Sequence, residues 1–307
     1  MAMTLAEMKV GMSDKVSQQI VDIFLRESEI LQLLPFDNCV SPQGGSTLTY
    51  SYIQKKLPSV AAFRALNVEY TANQATVEKK TADLKIFGGK FQIDRVLKQA
   101  EGPWNNMSDQ IREKVLAAIS LFHYTLVNGD ATTHTTEFDG LDKMLAGTST
   151  EYNTGTGSAI DVSTMTNLKT NAEIQTMARL LGYKTESEEA FGRKVTSMDG
   201  VRFMDLGKYY TVSDTTVTGN DCVKAGISRN IGASNAAVTG LTDIYAVKFD
   251  VNDGFHAASL TGNSAIRQYL PDFNTPGAVK DGEVEMVAAT VLKNTAHAGV
   301  LRNIKIA

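Results

Sequence analysis

Gly226-Ile227-Ser228-Arg229-Asn230 is the nearest approach to a nucleophile, and it stops one glycine short. A serine held out on a sharp strand-to-helix turn needs a glycine on each side, and Asn230 stands where the second belongs. Phosphate chemistry fares no better. Gly89-Lys90 and Gly207-Lys208 are followed by Phe91 and Tyr209, not by the hydroxyl a P-loop offers to magnesium. Gly155-Thr156-Gly157 opens like a dinucleotide fingerprint, but Ile160 replaces the last glycine and no strand precedes it. In Asp250-Val251-Asn252-Asp253-Gly254 the glycine comes one position early for a calcium loop, and Thr261 stands where a carboxylate should close it. A plain turn fits better. His123, His134, His256 and His297 are scattered, with no second ligand at metal spacing. His123 reads as a packed or half-exposed helix residue and His134 as solvated. No catalytic, cofactor-binding or metal constellation emerges, so the chain is expected to be no enzyme and to carry no cofactor.

The elements that would position such residues suggest a different job. The chain has 307 residues, 43% hydrophobic and 21% charged, enough to bury a real core. A net charge of −4 argues against a dedicated nucleic-acid binder. Cys39 and Cys222 read as reduced, small apolar residues of a cytosolic protein. No signal-peptide core and no run of about 20 apolar residues is present, so a soluble cytoplasmic product is expected.

Ser13 or Asp14 can cap a first helix, with Val16, Ile20, Ile23, Phe24, Leu31 and Leu34 at helical spacing and Pro35 ending it. Leu48, Tyr50 and Tyr52 alternate as in a strand, and Thr76 to Phe87 reads as a second strand with Ala82, Leu84 and Ile86 on one face. Its first half, Thr76-Val77-Glu78-Lys79-Lys80, is polar on both faces and cannot lie on a core without burying charge. Tyr50 to Lys90 is therefore expected to project as a long two-stranded ribbon, with a bulge or bend at Gly88-Gly89. Asn106 or Ser108 caps a second helix of about five turns, striped by Ile111, Val115, Ala118, Ile119, Phe122 and Leu126, with Gly129 as a left-handed cap. Beyond it a Thr/Gly/Ser-rich loop is expected over Thr148 to Ser163 and a shorter helix over Asn171 to Leu181. A hairpin should turn at Asp199-Gly200, and strands return at Ile244 to Phe249, Val284 to Val291 and Val300 to Ile306. The class is α+β with mainly antiparallel strands.

The long helix ends in Val127-Asn128-Gly129-Asp130, and a polar loop leads to Phe138-Asp139-Gly140-Leu141. Helical arm, projecting ribbon, long helix and this Asn-Gly-Asp to Phe-Asp-Gly-Leu step resemble, in that order, the major capsid proteins of tailed bacteriophages, the Hong Kong 97 type of fold. Glu188 to Gly207 is similar to that family's axial-domain hairpin and Asp243 to Ala257 to its central strand pair. The resemblance implies an N-terminal arm over 1–47, an extended hairpin loop over 48–95 and a peripheral domain with the spine helix over 96–147. An axial domain would cover 148–279, and strands over 280–307 would return to the peripheral domain. It implies a structural shell protein that forms pentamers and hexamers around double-stranded DNA without reading sequence. Assembly would take place in a host bacterial cytoplasm and the product would reside in the virion. Partners would be a separate scaffolding protein, a portal and decoration proteins, with no membrane. Two alternatives stay open: an encapsulin-like nanocompartment shell, or a hydrolase or binding module with an unrecognised site.

For a shell subunit the residues that matter are contacts. Tyr50 to Lys90 holds seven basic residues against three acidic ones. Lys55, Lys56, Lys79 and Lys80 are the expected intersubunit contacts of a positive strap lying on an acidic neighbour. Val16, Ile20 and Phe24 would be buried by the arm, and Phe138, Gly140 and Leu141 would anchor the turn after the spine helix.

Overall fold

The computed structural model describes residues 30–39, 48–96, 106–153, 165–166, 186–190, 193–198, 201–231, 236–260 and 266–305. Val16, Ile20 and Phe24, the first three turns of the predicted arm helix, and the helix expected over Asn171 to Leu181 lie outside them. What is described of the arm is its end, α1 (Ile30–Leu33), followed at once by the strand β1 (Phe36–Asn38). Ile30 and Leu34 are buried in the main core.

A five-stranded sheet is built on the long strand β16 (Val279–Leu292). Along one side it pairs antiparallel with β4 (Lys85–Asp94), and along the other with β15 (Ile266–Tyr269) and then β14 (Phe255–Ser259). β1 completes the sheet parallel to β14. Burial alternates along the first half of β16, as a sheet with one covered face requires, and becomes continuous from Ala288 onward. The cover is α2 (Asn106–Asn128). Its first half lays Met107, Ile111 and Val115 on Phe91, Ile93 and Val284. Its last turns, with Phe122 and Leu126, enter the main core. Among the described residues no helix is long and apolar enough to cross a membrane.

The pairing of β4 with β16 runs unbroken through Gly88 and Gly89, so the predicted bulge is absent. The glycines answer to space instead. A Cβ on Gly88 would lie 1.9 Å from the Val284 carbonyl oxygen, and one on Gly89 would lie 3.1 Å from the Lys114 side chain of α2. The strand expected from Thr76 to Phe87 is also two strands. β3 (Thr76–Asp83) pairs with β2 (Thr49–Leu57) in an antiparallel ribbon, and Leu84 breaks the pattern before β4 begins. The faces invert there. Leu84 is buried, Phe87 turns into the core, and Ile86, predicted to share the face of Leu84, is 60% exposed. Lys85 to Lys90 thus belong to the body and not to the excursion.

A second sheet of eight strands carries most of the later chain. Its order is β5 (Glu151–Asn153), β17 (Ala298–Lys305), β13 (Ala236–Val247), β6 (Met165–Thr166), β9 (Val201–Asp205), β8 (Arg193–Met198) and β7 (Glu186–Ala190), with β12 (Ile227–Ile231) also on β13. β8 and β9 pair antiparallel as the expected hairpin requires, with Met198 opposite Val201, while its turn residues Asp199-Gly200 lie outside the described residues. Asp243 to Ala257 is not a strand pair: β13 lies in this sheet and β14 in the other, joined by one bridge between Phe249 and Phe255. The Asp250 to Gly254 segment between them is a turn in which the Asp250 carboxylate accepts from the Asn252 amide at 2.9 Å. A separate hairpin, β10 (Lys208–Ser213) with β11 (Thr216–Asp221), packs against α2 by a Tyr209–Tyr124 ring contact.

Candidate assembly surfaces

The step from α2 to the next short helix, α3 (Leu141–Leu145), is a knot of backbone contacts. The Gly129 amide donates to the Thr125 carbonyl at 2.8 Å, continuing the helical ladder, and the Gly140 amide donates to the Gly129 carbonyl at 2.8 Å. Gly129 is not left-handed as predicted, since it has no positive φ. It is glycine because the returning chain crosses it: a Cβ there would sit 2.2 Å from the Phe138 carbonyl oxygen. Gly140 meets the same demand from the other side, with a built Cβ 2.6 Å from the carbonyl oxygens of Thr125 and Val127. The obstruction is packing and not dihedral, because Gly140 has φ −93°.

Polar side chains close the loop between the two glycines. Asp130 accepts from the Thr132 amide at 2.9 Å, from the Thr132 hydroxyl at 2.5 Å and from the Thr133 hydroxyl at 2.6 Å, and pairs with Lys143. Those donors, Lys143 first, hold its carboxyl far below the usual range. Asp139 accepts from the Ala131 amide at 2.9 Å and pairs with Lys143 at 2.9 Å. Thr132 to Thr136 are exposed while Phe138 and Leu141 are buried. Phe138 lies 5.8 Å from the Phe122 ring and 6.3 Å from that of Phe87, in an aromatic cluster joining knot, helix and sheet.

Behind α3 lies a partly buried ionic cluster, centred on the buried Arg302 and Asp243, that no motif announced. Arg302 on β17 donates to Asp142 at 2.6 Å and to Asp243 at 3.1 Å, and pairs with Glu151. Arg229 on β12 grips Asp243 with two bonds of 2.6 and 2.7 Å. Tyr245 donates to Asp142 at 2.9 Å. Burial alone would raise the Asp142 carboxyl, but the bond from Arg302 and its charge outweigh it and hold the group below its ordinary value. The sequence signal was faint: an aspartate inside the apolar run of β13 and an arginine inside that of β17.

The ribbon has two faces. Tyr50, Tyr52 and Gln54 turn toward the body, their side chains donating to Asp37 at 2.6 Å, to the Leu292 carbonyl at 3.2 Å and to the Lys293 carbonyl at 2.9 Å. Burial of Tyr50, with its bond to Asp37, pushes its hydroxyl pKa up. Of the four predicted contact lysines, Lys56 and Lys80 converge on Glu78 of the same ribbon at 3.7 and 3.1 Å, holding that carboxyl low. Lys55 and Lys79 stand exposed on the outward face. Beyond the paired strands, every residue from Pro58 to Ala75 is exposed, including Val60, Phe63, Leu66, Val68 and Tyr70. Sequence reading missed this apolar lobe because its residues follow neither a helical nor a strand period.

No protein-family model matches the sequence, and no curated protein matches it. Solved structures do. The encapsulin chain of the holo-SrpI encapsulin complex from Synechococcus elongatus PCC 7942 superposes with a TM-score of 0.64 at 12% identity, covering 100% of this chain and 97% of that one. The capsid of the native GTA particle gives a TM-score of 0.58 at 12% identity over 97% of both chains. A chain of Mycobacterium phage Bobi gives 0.54 at 12% identity, over 98% of this chain and 99% of its own. The fold is thus the capsid-type shell fold, mixed α and β with strands predominating, as the order of ribbon, long helix and Phe-Asp-Gly-Leu step implied. These likenesses cover 97–100% of this chain.

Proposed function

We propose that this chain is the major capsid protein of a tailed phage, forming pentamers and hexamers that close into an icosahedral head around double-stranded DNA. The observation that carries this reading is the ribbon, whose 58–75 lobe is exposed throughout and apolar at several positions. Isolated proteins rarely leave so large an apolar surface uncovered, and a shell covers it on every copy. In this reading 1–47 is the arm, 48–84 the extended loop, 85–147 the peripheral domain with β4 and the spine helix, 148–279 the axial domain and 280–307 the returning strands. The mature chain resides in the virion, assembled in the bacterial cytoplasm with a scaffolding protein, a portal and decoration proteins. Lys55 and Lys79, with the arm residues Val16, Ile20 and Phe24, make contacts between subunits, and the chain acts mechanically and not as an enzyme. A nanocompartment shell filled with protein is the second reading, favoured by the full-length likeness to the encapsulin chain. Negative-stain microscopy of the purified chain, with the nucleic-acid and protein content of any particles, tests both. Closed particles holding DNA support the head and particles filled with protein support the compartment. A chain that stays monomeric at assembly concentrations overturns both.

A further inference from the structure

We propose that the β10–β11 hairpin pairs edge to edge with the same hairpin of a second copy, through β11, about a two-fold axis at Thr218. This rests on the reading of the chain as a self-assembling shell subunit. The hairpin is fixed at its base. Tyr209 lies 5.6 Å from the Tyr124 ring of α2, Asn128 donates to the Cys222 carbonyl at 2.6 Å, and Lys208 pairs with Asp221 at 3.0 Å across the two strands. β10 is the strand beside the helix, so β11 lies outermost. Among the described residues β11 pairs with β10 alone, and Thr216 to Gly219 are exposed. A two-residue turn, Asp214-Thr215, sets Ser213 opposite Thr216. Bonds alternate along an antiparallel ladder from that closing pair. Thr216, Thr218 and Asn220 therefore bond inward, and the N–H and C=O groups of Val217 and Gly219 point to the open edge.

Native proteins guard an open edge with lysine, proline or a bulge, because an unguarded one recruits another strand. This edge carries no such guard. Asp214 is the only charged residue from Tyr209 to Asn220, no proline interrupts the run, and the register is unbroken from Lys208 to Asp221. What the edge offers is self-complementary in one register. Centred on Thr218, the strands of two copies overlap over five residues, 216–220. Thr216 then falls opposite Asn220, and Val217 opposite Gly219 of the second copy. The Tyr210 ring lies over that glycine, where an added Cβ would sit 3.0 Å from it. Each Val217 thus meets an aromatic ring, a cross-strand combination that favours pairing. Moving the axis to Gly219 would set Val217 against Asp221, and moving it to Val217 would shorten the overlap to three residues. The same patch serves both copies, as a two-fold contact requires, and no like charges meet. Five residues bury too little area for a free dimer, so the contact belongs where a shell already gathers many copies.

Two Thr218 residues facing each other across the axis form a pair without ladder bonds, with Cα atoms about 4.5 Å apart, inside the span of a disulfide. Mildly oxidised particles of Thr218→Cys should therefore run as dimers on a non-reducing denaturing gel. Thr216→Cys particles should stay monomeric on that gel, since the two copies of residue 216 lie at opposite ends of the overlap. Adding Asn220→Cys to Thr216→Cys should restore the link. Cys222 is buried, and burial together with Asp37 pushes the Cys39 thiol up to about 11, so the native thiols contribute little. In parallel, Val217→Pro removes an N–H that points outward, which an edge strand tolerates. It should keep the wild-type melting temperature while the particle yield at a fixed concentration falls at least about tenfold. Thr218→Cys particles that stay monomeric on the gel, Thr216→Cys particles that dimerise alone, or a normal yield from Val217→Pro overturn the edge pairing and leave the shell reading standing. A wild-type chain that never assembles overturns the shell reading and the edge pairing with it.

Discussion

Phe138 shows how one side chain can hold several elements. Its ring contacts Phe122 on α2 and Phe87 on β4, and it opens the turn into α3. Phe138→Ala should therefore cost about 3–5 kcal/mol, the range for removing a buried aromatic ring. A urea midpoint unchanged from wild type would contradict this. His123 tells a different story on the same helix. It is fully buried, and burial lowers its pKa to about 3. The unfolded chain takes up a proton near the ordinary value of about 6.5, while the folded state refuses it until much lower pH. Unfolding is thus favoured as pH falls from about 6.5 toward 3, by up to an order of 5 kcal/mol through linkage. His123→Leu should flatten the fall of stability over that window in urea titrations at several pH values. His256, also lowered by burial, leaves a residual slope of the same sign.

Between elements, the Arg302 cluster joins α3, β5, β12, β13 and β17 through charges of which Arg302 and Asp243 are buried and the rest are partly shielded from water. Such a cluster adds little net stability when intact but is costly to break, because the partner left behind stays buried and unpaired. Asp243 is nearly inaccessible and would keep Arg229 and the Asn303 amide, while Asp142 and Glu151 would lose the guanidinium they share. Arg302→Met should destabilise the fold by about 3–5 kcal/mol, and Arg302→Lys should recover only part of it, since an ammonium cannot reach three carboxylates in the guanidinium's geometry. Equal thermal midpoints for the wild type and Arg302→Met would show that the cluster is dispensable.

At the scale of the whole molecule the arm and the ribbon set what can be removed or reversed. Deleting residues 1–35, natural if the entire first helix is an assembly arm, would strip Ile30 and Leu34 from the core and should unfold the subunit. Deleting residues 1–26 should instead leave a folded subunit, by circular dichroism, that no longer closes shells under the microscope. Normal particles from that truncation would remove the arm from the assembly mechanism. On the ribbon, reversing the exposed pair Lys55 and Lys79 to Glu should slow assembly more than reversing Lys56 and Lys80, which are tied to Glu78. The effect should fade at 1 M salt, where the Debye length is about 3 Å. Light-scattering rates that do not depend on salt would argue that these lysines face no partner charge.

Local rules were enough to read the long helix, the first ribbon strand, the antiparallel pairing of β8 with β9 and the burial of Phe138 and Leu141. Helical period, alternation and turn chemistry act over a few residues and leave their mark directly in the sequence. The Asn-Gly-Asp to Phe-Asp-Gly-Leu step was legible as a pattern, but not the reason for it. Only the folded chain shows Gly129 and Gly140 crossing backbone to backbone, with no room for a Cβ. The inversion of faces at Leu84, the separation of β13 and β14 into different sheets and the meeting of Arg302 with Asp142, Asp243 and Glu151 have the same origin. Each depends on contacts between residues far apart in the chain. Sequence period records which side of an element is apolar; which distant element covers that side is decided by packing.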